Sequence, residues 1–162
     1  MPLKRSLSKT LSIYSSERFP WLSRKSSKHR HQAVVGVGGN IGDVKRRFEH
    51  LFFELHRDKR VTLTQTSLIL KNPPFGFSEQ EDFLNTIIVI KTSMNAKVFL
   101  EYLMRLEKKF GRKRSFANAP RTLDLDIIFF DDLVMNTDKL TLPHPAWMER
   151  ESVLIPLSGL RL

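Results

Sequence analysis

Asp124 and Asp126 stand two residues apart in the stretch NAPRTLDLDIIFF. Side chains i and i+2 of a strand share a face, so this spacing sets two carboxylates side by side. Like charges so placed repel, and one of them keeps its proton unless a cation sits between them. Two cations are on offer. Arg121, three residues ahead, can fold back as a structural counter-ion, or a divalent metal can take both carboxylates. A carboxylate pair with few other protein ligands suits Mg²⁺, whose remaining positions go to water and substrate phosphates. The chain has no cysteine, and no histidine cluster lies nearby to favour zinc. The metal reading implies a phosphate-bearing substrate. The loop ahead of the pair fits one, with Lys108, Lys109, Arg112, Lys113, Arg114 and Arg121 inside 14 residues. Such loops are often only solvated surface, but arginines beside Mg²⁺ clamp phosphoryl groups and neutralise charge on a departing phosphate.

The pair needs elements to hold it. AVVGVGG (33–39) reads as a first strand followed by a glycine turn. Val44, Phe48, Leu51, Phe52 and Leu55 then recur at helical spacing. VTLTQTSLIL (61–70) alternates as a second strand, and the prolines and glycine of NPPFGFSEQED (72–82) mark a loop. FLNTIIVIKT (83–92) is a third strand. Ala96, Phe99, Leu100, Leu103, Leu106 and Phe110 form a second amphipathic helix, with Gly111 suited to its C-cap. LDLDIIFF is the fourth strand, with Leu125, Ile127 and Phe129 facing the core opposite the aspartates. The order βαββαβ predicts an α+β, ferredoxin-like domain: an antiparallel sheet, both helices on one face, and long loops at 71–82 and 111–123.

Charge is unevenly spread over the 162 residues, whose formal net value is +10. Residues 1–32 hold eight lysines and arginines against Glu17 alone, whereas 33–162 hold 19 basic and 16 acidic residues. The first 32 residues therefore read as a basic, Ser-rich extension and 33–162 as a single domain. That extension could be partly disordered, a targeting peptide or a phosphate-binding arm, with Leu11, Ile13, Tyr14, Phe19, Trp21 and Leu22 as apolar anchors. Removing residues 1–30 is expected to leave the chemistry largely intact.

Several classes are excluded. Without cysteine there are no disulfides and no thiolate catalysis, which fits a reducing, cytoplasmic setting. No apolar run approaches the roughly 18–20 residues of a membrane span, so a soluble protein, expected as a monomer, is implied. GVGGNIG lacks the third glycine of a dinucleotide fingerprint, with Ile41 in its place, and no P-loop occurs. A ferredoxin-like nucleic-acid module is the non-enzyme alternative, but it lacks an aromatic recognition run and leaves the aspartates without a role.

GVGGNIGD, NPPFG, DFLN, LEKKFGRKR, APRTLDLDI and LPHPAWMER, in that order over about 34–157, resemble the 6-hydroxymethyl-7,8-dihydropterin pyrophosphokinase family of folate biosynthesis. PRTLDLDI is the most specific of these segments. The resemblance implies a ferredoxin-like fold and transfer of diphosphate from ATP to a pterin alcohol. It implies that Asp124 and Asp126 hold two Mg²⁺ ions and that Arg112 and Arg121 close over ATP and assist transfer, with Asp126 near the attacking hydroxyl. It places Glu107, Arg114, Ile127, Thr141, His144 and Arg150 at the nucleotide. Asn85 would hydrogen-bond the pterin ring, Phe83 would lie against it, and Pro73, Pro74 and Phe75 would form its rim. The alternative enzyme reading is a related Mg²⁺-dependent phospho- or nucleotidyl-transferase acting on another alcohol. Three positions depart from the family pattern: Asn118 and Ala119 replace a tryptophan and a glycine, and Ser152 replaces a second pterin-stacking phenylalanine. Phe116, Trp147 or a residue of the extension are candidates to substitute for that ring.

Overall fold

Strand β4 (His31–Gly39) is the centre of the sheet. It pairs antiparallel along one edge with β7 (Phe83–Thr92) and along the other with β8 (Asp124–Phe130). The computed structural model describes residues 3–74, 79–112 and 120–162. On its far edge β7 carries both β5 (Val61–Thr66) and β6 (Ile69–Asn72). The expected single strand 61–70 is thus two. Ser67 separates them, because its hydroxyl accepts the Ile87 amide at 2.8 Å and so occupies a donor that a continuous ladder would use.

Helices α1 (Val44–Arg57) and α2 (Ala96–Lys109) bury one apolar stripe each. Phe48, Leu51, Leu55, Phe99 and Leu103 meet Val35, Val37, Ile88, Ile90, Leu125 and Ile127 in the main core. Asp43 and Asn95 cap the two helices by accepting the amides of Arg46 and Val98 at 3.2 and 3.0 Å, which satisfies donors left open in a first turn. Gly111 follows α2 at φ +85°, the left-handed position that suits glycine. The result is an α+β architecture on an antiparallel sheet.

The glycines of AVVGVGG do not form the expected turn. Gly36, Gly38 and Gly39 remain inside β4, and the turn comes at Gly42, with φ +70°. A β-bulge between Val34 and Val35 also shifts the register on β8. Leu125 and Ile127 reach the main core as expected, but Phe129 is carried to the opposite face against Trp147, with ring centroids 5.0 Å apart, and Phe130 takes the core position. A third helix, α3 (Glu151–Ser158), covers that opposite face through Val153. Pro156 within it masks the segment as helical in sequence. A small hairpin of β9 (Met135–Asn136) and β10 (Thr141–Leu142) follows β8.

The basic N-terminal segment is strand-forming. Leu3–Ser6 (β1) and Ser12–Ser15 (β2) pair with each other, β2 extends the sheet beyond β6, and β3 (Trp21–Leu22) pairs with β5. Phe19 is 1% exposed, 6.0 Å from Phe48 and 6.2 Å from Phe52 between ring centroids. Trp21 sits edge-on to Phe52 at 4.8 Å. These contacts change the expectation for truncation: removing 1–30 opens the main core and uncovers the edges of β5 and β6. Phe19→Ala should cost about 3 kcal/mol, read as a lower urea midpoint. An unchanged midpoint would mean that the segment does not pack as described.

Candidate active site

A cavity of about 1350 Å³ opens where β4, β7 and β8 end. The register across these strands explains its floor: Gly38 lies between Asp124 of β8 and Asn85 of β7, and Gly36 lies beside Asp126. Paired residues in neighbouring strands project to the same side, so carboxylates and carboxamide share a face while the glycines between them add nothing. A Cβ on Gly38 would stand 2.6 Å from the Asn85 Oδ1, inside any real contact. The glycine is what lets the amide lie flat over β4.

Asp124 is heavily paired. Arg112 donates to both Asp124 and the buried Glu107, and Arg121 Nη1 lies 3.3 Å from Asp124 Oδ2. Glu107 also accepts the Leu125 amide at 3.0 Å, which ties α2 to β8. Arg121 therefore is a counter-ion of Asp124 in this structure, the plainer of the two roles open to it in sequence. Its guanidinium also stands 6.0 Å from the centroid of Phe83.

Asp126 is different. Among the described residues no cation forms an ion pair with it. Burial, then the charges of Asp124 and Glu107, push its carboxyl up to about 7, with Arg112 and Arg121 opposing from a distance. Burial likewise raises Glu107. A half-buried carboxyl with no ion-pair partner among the described residues, next to a second carboxylate and facing a cavity, is a fitting place for a divalent cation. No third His, Asp or Glu joins the pair in metal-binding geometry among the described residues, so water or ligand oxygens would complete the shell.

The other walls divide by chemistry. His144 and Arg150 line one side. His144 Nδ1 accepts the Ala146 amide at 3.2 Å, leaving Nε2 as the protonated nitrogen. Burial and the charge of Arg150 lower its pKa and keep it neutral. At the opposite end Asn85 Nδ2 donates to Asn72 Oδ1 at 2.6 Å, beside Phe83, Pro73 and Pro74. This end can hold a flat, hydrogen-bonding ring.

Eleven of the residues singled out in sequence thus line one cavity: Pro73, Pro74, Phe83, Asn85, Glu107, Arg112, Arg121, Asp124, Asp126, His144 and Arg150. Two do not. Ile127 is buried in the main core at 3% exposure, and its neighbour Ile128 faces the cavity instead. Thr141 sits in β10, and the residue before that strand, Leu140, lines the cavity in its place. Arg114, Phe75 and Phe116 lie outside the described residues. Trp147 is packed on Phe129 and does not replace the missing stacking ring, while Ser152 does face the cavity. Sequence reasoning missed Asn72, Lys97, Leu100, Glu101 and Met104. The last four recur at i, i+3, i+4 and i+7 along α2, a second stripe beside its core stripe that could have revealed them.

An arginine-lined carboxylate pair beside a flat amide-and-phenyl slot gives one cavity a charged end and a planar, hydrogen-bonding end. The model of the 7,8-dihydro-6-hydroxymethylpterin-pyrophosphokinase (HPPK) family matches residues 34–161, and the chain belongs to that family. It is 42% identical over 142 residues to the 2-amino-4-hydroxy-6-hydroxymethyldihydropteridine pyrophosphokinase of Campylobacter jejuni, covering 88% of this chain and 90% of the relative. It is 38% identical over 148 residues to the Helicobacter pylori protein of the same name, covering 90% and 91%. The Bacillus subtilis namesake is 39% identical over 126 residues, covering 78% and 75%.

The elevated Asp126 yields a signed prediction. The folded protein holds a proton that the unfolded chain releases near pH 4. The group's stabilising contribution is thus full below about pH 4 and lost as pH rises through about 7. Asp126→Asn should therefore raise the melting temperature of the ligand-free protein at pH 8 by about 5 °C, for a gain on the order of 2 kcal/mol. Near pH 4 it should change little. Equal or lower melting at pH 8 would refute the unpaired-carboxylate description.

Proposed function

We propose that the protein transfers diphosphate from ATP to 6-hydroxymethyl-7,8-dihydropterin, releasing AMP and the pterin diphosphate, as a step of folate biosynthesis. The observation that carries this reading is the single cavity in which Asp124, Asp126, Arg112 and Arg121 meet the slot of Asn72, Phe83 and Asn85. We also assign the β4-α1-β5-β7-α2-β8 core to the ferredoxin-like βαββαβ class. In its support, these strands lie in the order β5-β7-β4-β8, all antiparallel, with α1 and α2 in one core.

In the reaction the hydroxymethyl oxygen attacks the β-phosphorus of ATP. The bond from that phosphorus to the oxygen bridging the α-phosphate breaks, AMP leaves, and the hydroxyl proton goes to solvent. Asp124 and Asp126 would hold Mg²⁺, two ions being expected with ATP; when bound, Mg²⁺ supplies positive charge to the transferring phosphate oxygens. The chain's own residues orient and neutralise. Arg112 and Arg121 turn from Asp124 to the phosphates, and Glu107 keeps Arg112 anchored to α2. His144 donates from Nε2 to a phosphate oxygen beside Arg150, and Arg114 is a further candidate for the nucleotide. Ile127 and Thr141 contribute from the backbone beside the adenosine. Asn85 reads the pterin edge, Phe83 covers one face, and Pro73, Pro74 and Phe75 form the rim. Most of the rate then comes from positioning and charge rather than covalent chemistry.

Incubating the protein with ATP, Mg²⁺ and the hydroxymethyl dihydropterin should yield AMP in step with pterin diphosphate. ADP, or no nucleotide product, would sink this reading. Asp124→Ala and Asp126→Ala should each lower turnover by at least about 10²-fold with the fold retained, and near-normal turnover in either would remove the metal role.

A further inference from the structure

The two halves of the cavity are carried by loops distant in sequence, and one side chain touches both. Asn40, directly after β4, is 7% exposed. Its Nδ2 donates to Gln80 Oε1 at 2.8 Å and to the Glu81 carbonyl at 3.0 Å. Its Oδ1 accepts the Arg121 amide at 2.8 Å, and its own amide donates to the Arg121 carbonyl at 2.9 Å. Every hydrogen-bonding group of the carboxamide is therefore spent on loop backbone or on Gln80. Gln80 and Glu81 lead within a few residues to Phe83 and Asn85, and Arg121 leads to Asp124.

The surroundings favour this clasp. Gly39 lets the end of β4 approach so closely that a Cβ there would lie 2.7 Å from the Thr122 carbonyl. Arg47 of α1 fastens the same loop by donating to the carbonyls of Ile41 at 2.7 Å and Thr122 at 2.8 Å. Asn40 and Arg47 thus tie the Arg121 loop to the body independently of each other. Among the described residues, Asn40 alone bonds both it and the 79–82 loop.

We propose that Asn40 is a positioning residue that couples the ring-binding slot to the phosphate-handling arginine, so that ordering one loop orders the other. The inference rests on the reading of the cavity as an ATP and pterin site. It touches no substrate; it acts through Arg121 on one side and Phe83 and Asn85 on the other. A donor and an acceptor on one short, rigid side chain are required, and only asparagine supplies both at this reach.

Because the two arms of the amide differ chemically, they can be cut separately. Asn40→Asp keeps the acceptor for the Arg121 amide but removes both donors and sets a carboxylate against Gln80 Oε1 and the Glu81 carbonyl. It should raise KM for the pterin about tenfold while kcat and KM for ATP stay within about twofold. Asn40→Ala cuts both arms and should in addition lower kcat about tenfold and speed hydrogen exchange at the Arg121 amide, which Asn40→Asp leaves protected. Gln80→Ala, which leaves the buried asparagine in place, should raise pterin KM alone by a few-fold. Wild-type constants in both Asn40 variants would overturn the proposal. So would equal losses in kcat and both KM values together with lowered melting, the pattern of a simple brace. If the wild-type protein made no AMP, the activity reading would fail by itself, and the exchange pattern at Arg121 would still decide whether Asn40 joins the loops.

Discussion

Repulsion between two carboxylates on one face of β8 is the constraint around which the cavity is organised. Asp124 and Asp126 point the same way because a strand has a period of two, and burial strengthens their mutual cost. The molecule resolves it unevenly. Asp124 takes two guanidiniums, while Asp126 is left to hold its proton at about neutral pH. This asymmetry suits the proposed cation site, where an incoming ion would displace a proton from one carboxylate and compete with arginines at the other. Arginines released in that way would be free to meet a phosphate chain.

The remainder of the fold serves to make this arrangement rigid on one side and open on the other. Leu125 and Ile127 pin β8 into the core beneath α1 and α2, and the buried Glu107 grips both the Leu125 amide and Arg112. The glycines of β4 keep the floor bare. An alanine at Gly38 would drive a methyl group into Asn85, so the strand's poor local propensity is accepted for the shape it leaves. The N-terminal strands extend the same logic to the far edge, where β2 supports β6 and thereby the segment that delivers Asn72 and Pro73.

Much of this was legible in the sequence. Both long helices declared themselves through their apolar stripes, and the strands of the sheet's centre through alternation or continuous β-branched runs. The carboxylate pair and the basic loop ahead of it announced the chemistry. The residues of PRTLDLDI, DFLN and LPHPAWMER that were expected to meet do line one cavity, apart from Ile127. Less visible were elements whose stabilisation is not periodic. β1, β2 and β3 are short and held by backbone pairing to existing edges, and the stretch around Phe19 anchors through isolated aromatic rings. α3 is hidden by its proline.

By itself, then, the sequence determined which faces are apolar, where carboxylates cluster and which segments must turn, because these follow from side-chain type at fixed spacing. Tertiary structure alone decided the rest. The bulge opposite Val34 exchanged Phe129 for Phe130 in the core, a one-residue slip that no local pattern reports. Arg112, Glu107 and Asp124 became one network only through the docking of α2 on β8. Asn40, an unremarkable residue after a glycine run, acquired its four bonds from loops 40 and 81 positions away in sequence. Such contacts depend on how the chain closes on itself, and that closure is set by the whole core rather than by any segment of it.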